Sequence, residues 1–208
     1  MEKQLVTASF WIILAALGVY GVFHSLIASL GAKRFARRIF GSAVDRYYRL
    51  VFSMLGGITF LPVLALSAWL PDQVLYRLPF PWAILFILLQ ALGLIFFVWS
   101  LAVTDLWAFL GLRQLATAST DVEHLTLDGP YRLVRHPMYT STLMVLWFTP
   151  LMTVNLLALN LGVTAYFILG GVFEERKLLR QFGQVYADYR QRTPMLLPWP
   201  RRGKSSGA

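Results

Sequence analysis

Residues 137–173 read PMYTSTLMVLWFTPLMTVNLLALNLGVTAYFILGGVF, 37 positions without one Asp, Glu, Lys or Arg. A helix crosses a hydrocarbon core with about 20 apolar residues. This stretch is therefore too long for one crossing and slightly short for two straight ones. Pro150 and Asn155 lie near its middle, where a turn falls most readily. The reading is two helices, about 136–150 and 154–175, joined by a tight turn, with at least one of them short or starting upstream of His136. Three further charge-free stretches, 4–32, 50–71 and 78–104, each fit one helix, about 5–31, 50–70 and 79–103. The expected architecture is an all-α integral membrane protein with five transmembrane helices, forming one membrane domain over residues 1–208.

Composition agrees. Of 208 residues, 57% are hydrophobic and 14% charged, against about a quarter charged in soluble domains. A mean hydropathy of +0.59 points the same way. Disordered, collagen-like and coiled-coil classes are excluded by the same figures. With no cysteine there is no disulfide framework, thiolate metal site or cysteine nucleophile. The first apolar run is too long for a cleaved signal peptide and lacks its flanking features.

The net charge of +9 has a topological cause. Seventeen of the 19 basic residues fall after helix 1 (Lys33, Arg34, Arg37, Arg38, Arg46, Arg49), after helix 3 (Arg113, Arg132, Arg135), or beyond helix 5. With five crossings these segments share one face, which the positive-inside rule makes cytoplasmic. The C-terminus is expected there, in a bacterial inner membrane, and no nucleic-acid partner is needed to explain the charge.

Two polar segments, 105–135 and 174–200, are the expected cytoplasmic site elements. Residues 105–115 could form an interfacial helix anchored by Trp107 and Phe109. Residues 174–189 read as a charged amphipathic helix continuing helix 5, ended by Pro194, Pro198 and Pro200. The densest chemistry is Gly129-Pro130-Tyr131-Arg132-Leu133-Val134-Arg135-His136-Pro137-Met138-Tyr139, at the entry to helix 4, with Pro137 suited to a first helical turn. Its plain explanation is an interfacial Arg/Tyr belt. Glu174-Glu175 forms the second cluster. Carboxylates near a bilayer need partners. Either Arg176, Lys177 and Arg180 supply them, or the pair floors a polar pocket with Arg135 and His136. Gln90 is expected to bond across to another helix. His24 reads first as a packed, hydrogen-bonded residue and second as a base or ligand. Dinucleotide, Walker, zinc-protease and nucleophile-elbow motifs are absent, and three scattered histidines without cysteine make a metal site an unexpected feature.

The string Gly129-Pro130-Tyr131-Arg132-x-x-Arg135-His136-Pro137-x-Tyr139, then Glu174-Glu175, then Phe182-Gly183-x-x-Tyr186-x-x-Tyr189 and Pro194, resembles the isoprenylcysteine carboxyl methyltransferase family. Phospholipid N-methyltransferases share a looser form. His124-Leu125 resembles that family's cofactor-loop histidine. The N-terminal half, through His24-Ser25-Leu26, Asp45-Arg46-Tyr47-Tyr48-Arg49, Asp105-Leu106 and Gly111-Leu112-Arg113-Gln114, resembles the NnrU-like proteins and bacterial methanethiol S-methyltransferases. Thr149-Pro150-Leu151-Met152-Thr153 resembles the same group. One departure is Ser141, where the family often has glycine.

The resemblance implies S-adenosylmethionine bound on the cytoplasmic side by Gln114, His124, Gly129, Tyr131, Arg135, His136, Tyr139, Glu174, Glu175, Tyr186 and Tyr189. Arg135 would pair the cofactor carboxylate, and Glu174 or Glu175 would pair its ammonium or hold Arg135 in place. The tyrosine faces suit a sulfonium or adenine. Arg135, Glu175 and His24 are the implied catalytic residues, with His24, His136 or a glutamate as base for a neutral thiol. The implied partners are membrane lipid and a methyl acceptor, either a small thiol such as methanethiol or an isoprenoid or lipid-type thiol or carboxylate. Two other readings stand beside it: a haem-dependent NnrU-like membrane isomerase with axial histidines, and a non-enzymatic membrane accessory protein.

Overall fold

The computed structural model describes residues 1–104, 106–107, 112 and 125–198. The chain divides into two compact units, Met1–Arg77 with Asp105–Glu123 and Leu151–Val163, and Leu78–Thr104 with His124–Pro150 and Thr164–Ala208.

The first unit holds α1 (Glu2–Ala28), α2 (Leu30–Phe40), α3 (Ala43–Trp69), β1 (Val74–Arg77), β2 (Leu151–Thr153) and the first turns of α6 (Val154–Phe182). The buried residues of α1, Val6, Ser9, Ile13 and Leu17, recur every three or four positions and so form one stripe. The helix packs on α3 and lays Leu17 against Gly162 of α6. Tyr48 Oη donates to the Ile27 carbonyl at 2.5 Å, tying the end of α1 to the first turns of α3. β1 and β2 pair antiparallel, Tyr76 opposite Met152 and Arg77 opposite Leu151.

The second unit holds α4 (Trp82–Val103), a 3-10 turn (Gly129–Arg132), α5 (Pro137–Trp147), the rest of α6, and α7 (Gln184–Arg192). The segment 129–150 runs antiparallel along the whole of α4. At one end Leu78 N–H donates to Pro150 O at 2.9 Å. Next along, the Phe86 and Phe148 rings meet edge to face. Gln90 Nε2 then donates to Val145 O at 2.8 Å, the cross-helix bond expected of this residue. Gly93 lies against Met144 and the Ser141 carbonyl, where a Cβ would sit 3.0 and 3.2 Å from them. The Ser141 side chain is buried, and its hydroxyl donates back to Met138 O at 3.0 Å. At the far end Thr104 Oγ1 and Tyr131 Oη are 3.0 Å apart. Gly129, with φ +59°, sits on Trp99 and Val103 in a conformation that only glycine adopts cheaply.

Among the described residues, seven α-helices make the protein all-α apart from the short strand pair. Four of them, α1, α3, α4 and α6, are long and apolar enough to cross a membrane. Their outward faces carry exposed Trp11, Val19, Ile58, Leu61, Leu88, Ile95 and Val98, as lipid-facing helices do.

Several boundaries differ from expectation. The helix expected at 136–150 is α5, the short member of the pair as expected but ending at Trp147; its 11 residues span about 16 Å at 1.5 Å each, too short to cross alone. The turn expected at 150–154 contains β2, because its backbone finds ladder partners in β1. The helix expected at 50–70 begins at Ala43, and the charged loop before it is largely helical, as α2 and the first turns of α3. The helix expected to run unbroken through 174–189 breaks at Gly183, whose φ of +55° no other residue adopts without strain. The interfacial helix expected at 105–115 lies mostly outside the described residues.

Candidate functional site

The motif residues of the second unit converge where α5 begins. Pro137 opens α5, its missing N–H costing nothing at the first helical position. This leaves Arg135 and His136 just before the helix, and both are buried. Their backbone N–H groups donate to Pro194 O at 2.9 Å and Met195 O at 3.1 Å. Thr140 Oγ1 donates to Leu196 O at 2.7 Å. These three bonds hold the strap after α7 across the start of α5. The strap runs close enough to α6 that a Cβ on Gly171 would collide with Met195 Cε.

Arg135 is fully engaged. Nε donates to Glu175 Oε1 at 2.7 Å, and a terminal nitrogen lies 2.6 Å from the same oxygen. The other terminal nitrogen donates to the carbonyls of Arg190 (3.1 Å) and Thr193. His136 Nε2 lies 3.3 Å from Glu175 Oε1, and its Nδ1 3.6 Å from Glu174 Oε2. Arg190 Nε is 4.0 Å from Glu175 Oε2. Glu175 thus sits among three basic side chains that lie far away in sequence, rather than at a helix end with Arg176, Lys177 and Arg180 as partners. Of the two roles open to it, holding Arg135 is the one this geometry describes.

Glu174 is different. Its side chain is 48% exposed, against 9% for Glu175. It accepts from Tyr139 Oη at 3.2 Å. The Tyr139 ring stacks on His136 (5.1 Å, 6°) on one side and on Phe167 (4.4 Å, 7°) on the other. Tyr189 Oη donates to Tyr131 O at 2.6 Å, bringing α7 onto the 3-10 turn. Tyr186 is almost wholly buried, and its hydroxyl has no hydrogen-bond partner among the described residues. Burial, and then the Glu175 charge, push its phenol up to about 12. Burial likewise raises Tyr131 and Tyr189. All three phenols are therefore protonated donors at neutral pH.

Of the residues singled out in the sequence, Tyr131, Arg135, His136, Tyr139, Glu174, Glu175, Tyr186 and Tyr189 come together in this unit. Gly129 supports them through α4. Gln114 and His124 lie outside the described residues. His24 belongs to the first unit, where it stacks on Tyr20 (5.5 Å, 28°), meets Phe52 at 4.5 Å and lies over Gly56. Sequence reasoning missed Phe167, although it lies two helical turns before Glu174 and so shares its face. It also missed the carbonyls of Arg190 and Thr193, since backbone acceptors leave no sequence mark.

The profile of the phospholipid methyltransferase family matches residues 82–185, the stretch that contains most of this cluster. A methanethiol S-methyltransferase of Mycobacterium tuberculosis is 32% identical over 196 residues, covering 91% of this chain and 78% of the relative. Methanethiol S-methyltransferase 2 of Bradyrhizobium diazoefficiens is 32% identical, covering 89% and 71%. The methanethiol S-methyltransferase of Crocosphaera subtropica is 29% identical, covering 95% and 78%. No solved structure matches the chain significantly. A motif cluster gathered within one unit, a family profile across half the chain and relatives of one activity matched over most of the chain agree: the chain belongs to the phospholipid methyltransferase family and is a membrane methyltransferase.

Proposed function

We propose that this protein is an S-adenosylmethionine-dependent enzyme that methylates a small thiol, with methanethiol, the acceptor its relatives are named for, as the first candidate. The observation that carries the reading is the contrast between Glu174 and Glu175. One carboxylate is locked to Arg135, and its neighbour is half exposed beside a stack of three aromatic rings.

The donor set fits the cofactor. An exposed carboxylate suits an ammonium, ring faces suit a sulfonium or adenine, and the buried Tyr186 hydroxyl leaves a donor unspent. Glu174, Tyr139 and His136 would hold the cofactor, Tyr131 and Tyr189 would line it, and Gln114 and His124 would complete its adenosine contacts. Bound there, S-adenosylmethionine supplies an electrophilic methyl group to an acceptor sulfur that gives up its proton.

Arg135 is on this reading a positioning residue. It joins the α5 entry, α6 and the strap after α7, so the groups around Glu174 are held before any ligand arrives. His24 is the proposed base for a neutral thiol. Replacement by Gln should then lower kcat without changing cofactor affinity, and an unchanged kcat assigns His24 to packing. The haem alternative finds little support in His136, since both its ring nitrogens face carboxylates.

The proposed topology is five crossings with the C-terminus cytoplasmic. Supporting it, the segment 129–150 follows α4 from Thr104 back to Leu78, so it travels the same depth although α5 alone is short. The basic residues then gather on one face.

The test is headspace detection of dimethyl sulfide from purified protein supplied with S-adenosylmethionine and methanethiol. Product formation that falls at least a hundredfold in Glu175→Ala supports the reading. Cofactor binding without product moves the acceptor to an isoprenoid or lipid-type thiol or carboxylate. Neither binding nor product overturns it.

A further inference from the structure

One helix has no part in the site. α2, reading LGAKRFARRIF over Leu30–Phe40, carries four cations in 11 residues between two helices long enough to span. It is built as a complete helix. Ser29 Oγ accepts from Ala32 N–H at 3.1 Å at its start, and Gly41 N–H donates to Arg37 O at 2.9 Å at its end.

Its two faces differ in kind. At 100° per residue Lys33, Arg34, Arg37 and Arg38 fall on one side, and Phe35 and Ile39 on the other. Asp45, in the first turn of α3, takes Lys33 at 3.8 Å and Arg37 at 3.4 Å. That fixes how the helix is turned. Arg34 and Arg38, one turn apart, are exposed and form no ion pair among the described residues. Phe35 is 64% exposed and Ile39 58%. A helix with four cations does not cross a bilayer unaided, and one packed inside a protein would cover its Phe and Ile. Apolar side chains open on one side and unpaired cations on the other suit the boundary between acyl chains and headgroups. Cations clustered on an amphipathic helix beside a membrane span select anionic lipid.

We propose that α2 lies in the bilayer surface with Phe35 and Ile39 in the acyl boundary, and that Arg34 and Arg38 bind the phosphate groups of anionic phospholipids. The assignment does not depend on the methyl-transfer reading.

The chain has no cysteine, so single cysteines take a nitroxide label cleanly. The full-length protein is reconstituted in phosphatidylcholine vesicles with or without phosphatidylglycerol. A label at F35C should be relaxed by oxygen and shielded from an aqueous nickel chelate, and a label at R34C should show the reverse. Phosphatidylglycerol should raise the melting midpoint of the wild type by several degrees and of R34K/R38K similarly, with the gain lost in R34Q/R38Q. An F35C label open to the aqueous reagent overturns the proposal and leaves that face for a protein partner. A gain that is absent in the wild type, or retained in R34Q/R38Q, overturns it as well.

Discussion

Each unit contains a buried polar cluster, and the two are built differently. In the first unit Asn155 donates through Nδ2 to the carbonyls of Leu70 (3.0 Å) and Ser67 (3.4 Å), and through its backbone N–H to Asp72 at 3.0 Å. Every bond satisfies a helix end that would otherwise lack a partner. In the second unit Arg135 and Glu175 neutralise one another and tie down the strap, but Glu174 beside them stays half exposed. Among the described residues each cluster leaves one buried oxygen unbonded, Asn155 Oδ1 in one and Tyr186 Oη in the other. An orphan oxygen therefore does not tell a site from a structural joint. What sets the second cluster apart is a carboxylate left half exposed beside a stack of aromatic rings.

The largest effect on the second cluster is expected from Arg135→Ala. It leaves the Glu175 carboxylate buried without its cation, a change worth about 3–5 kcal/mol, and frees the strap. Melting in detergent should drop steeply and methyl transfer should be lost, and a protein that melts normally would show that the tie is not structural. Asn155→Ala should cost about 1–3 kcal/mol, also visible in melting, yet leave cofactor affinity unchanged, since its cluster is a joint only. Gly183→Ala forces a Cβ into left-handed backbone at about 1–2 kcal/mol. Its effect should appear as a modest fall in melting midpoint and in turnover, because α7 carries Tyr186 and Tyr189. Smallest is Tyr139→Phe, which keeps the ring stack and removes the bond to Glu174. Calorimetry should read a few-fold weaker cofactor binding, about 1 kcal/mol, with melting unchanged.

Much of this was legible in the sequence because its signals are short-range. Charge-free runs located the four helices that are long and apolar enough to cross a membrane, and Pro137, Gln90 and Pro194 behave as their chemistry dictates. The site motif was legible because His136 and Tyr139 are one turn apart and Glu174-Glu175 is a single step. α2 was not legible as a helix, since a basic amphipathic segment lacks a long apolar run. The β1–β2 pair was hidden because it joins residues 74–77 to 151–153, a pairing that no local pattern encodes. The saturation of Arg135 was hidden for a similar reason, since the carbonyls of Arg190 and Thr193 reach it only once Gly183 has turned the chain.

On the proposed function the open carboxylate of Glu174, and not the buried Arg135–Glu175 pair, receives the cofactor. Calorimetric titration of S-adenosylmethionine into the wild type and Glu174→Gln, with melting curves of both, tests it most directly. Binding in the variant should be weaker by about tenfold or more, since a charge-assisted hydrogen bond is worth about 1.5–3 kcal/mol, at an unchanged melting midpoint. Equal affinity in the two proteins would contradict it.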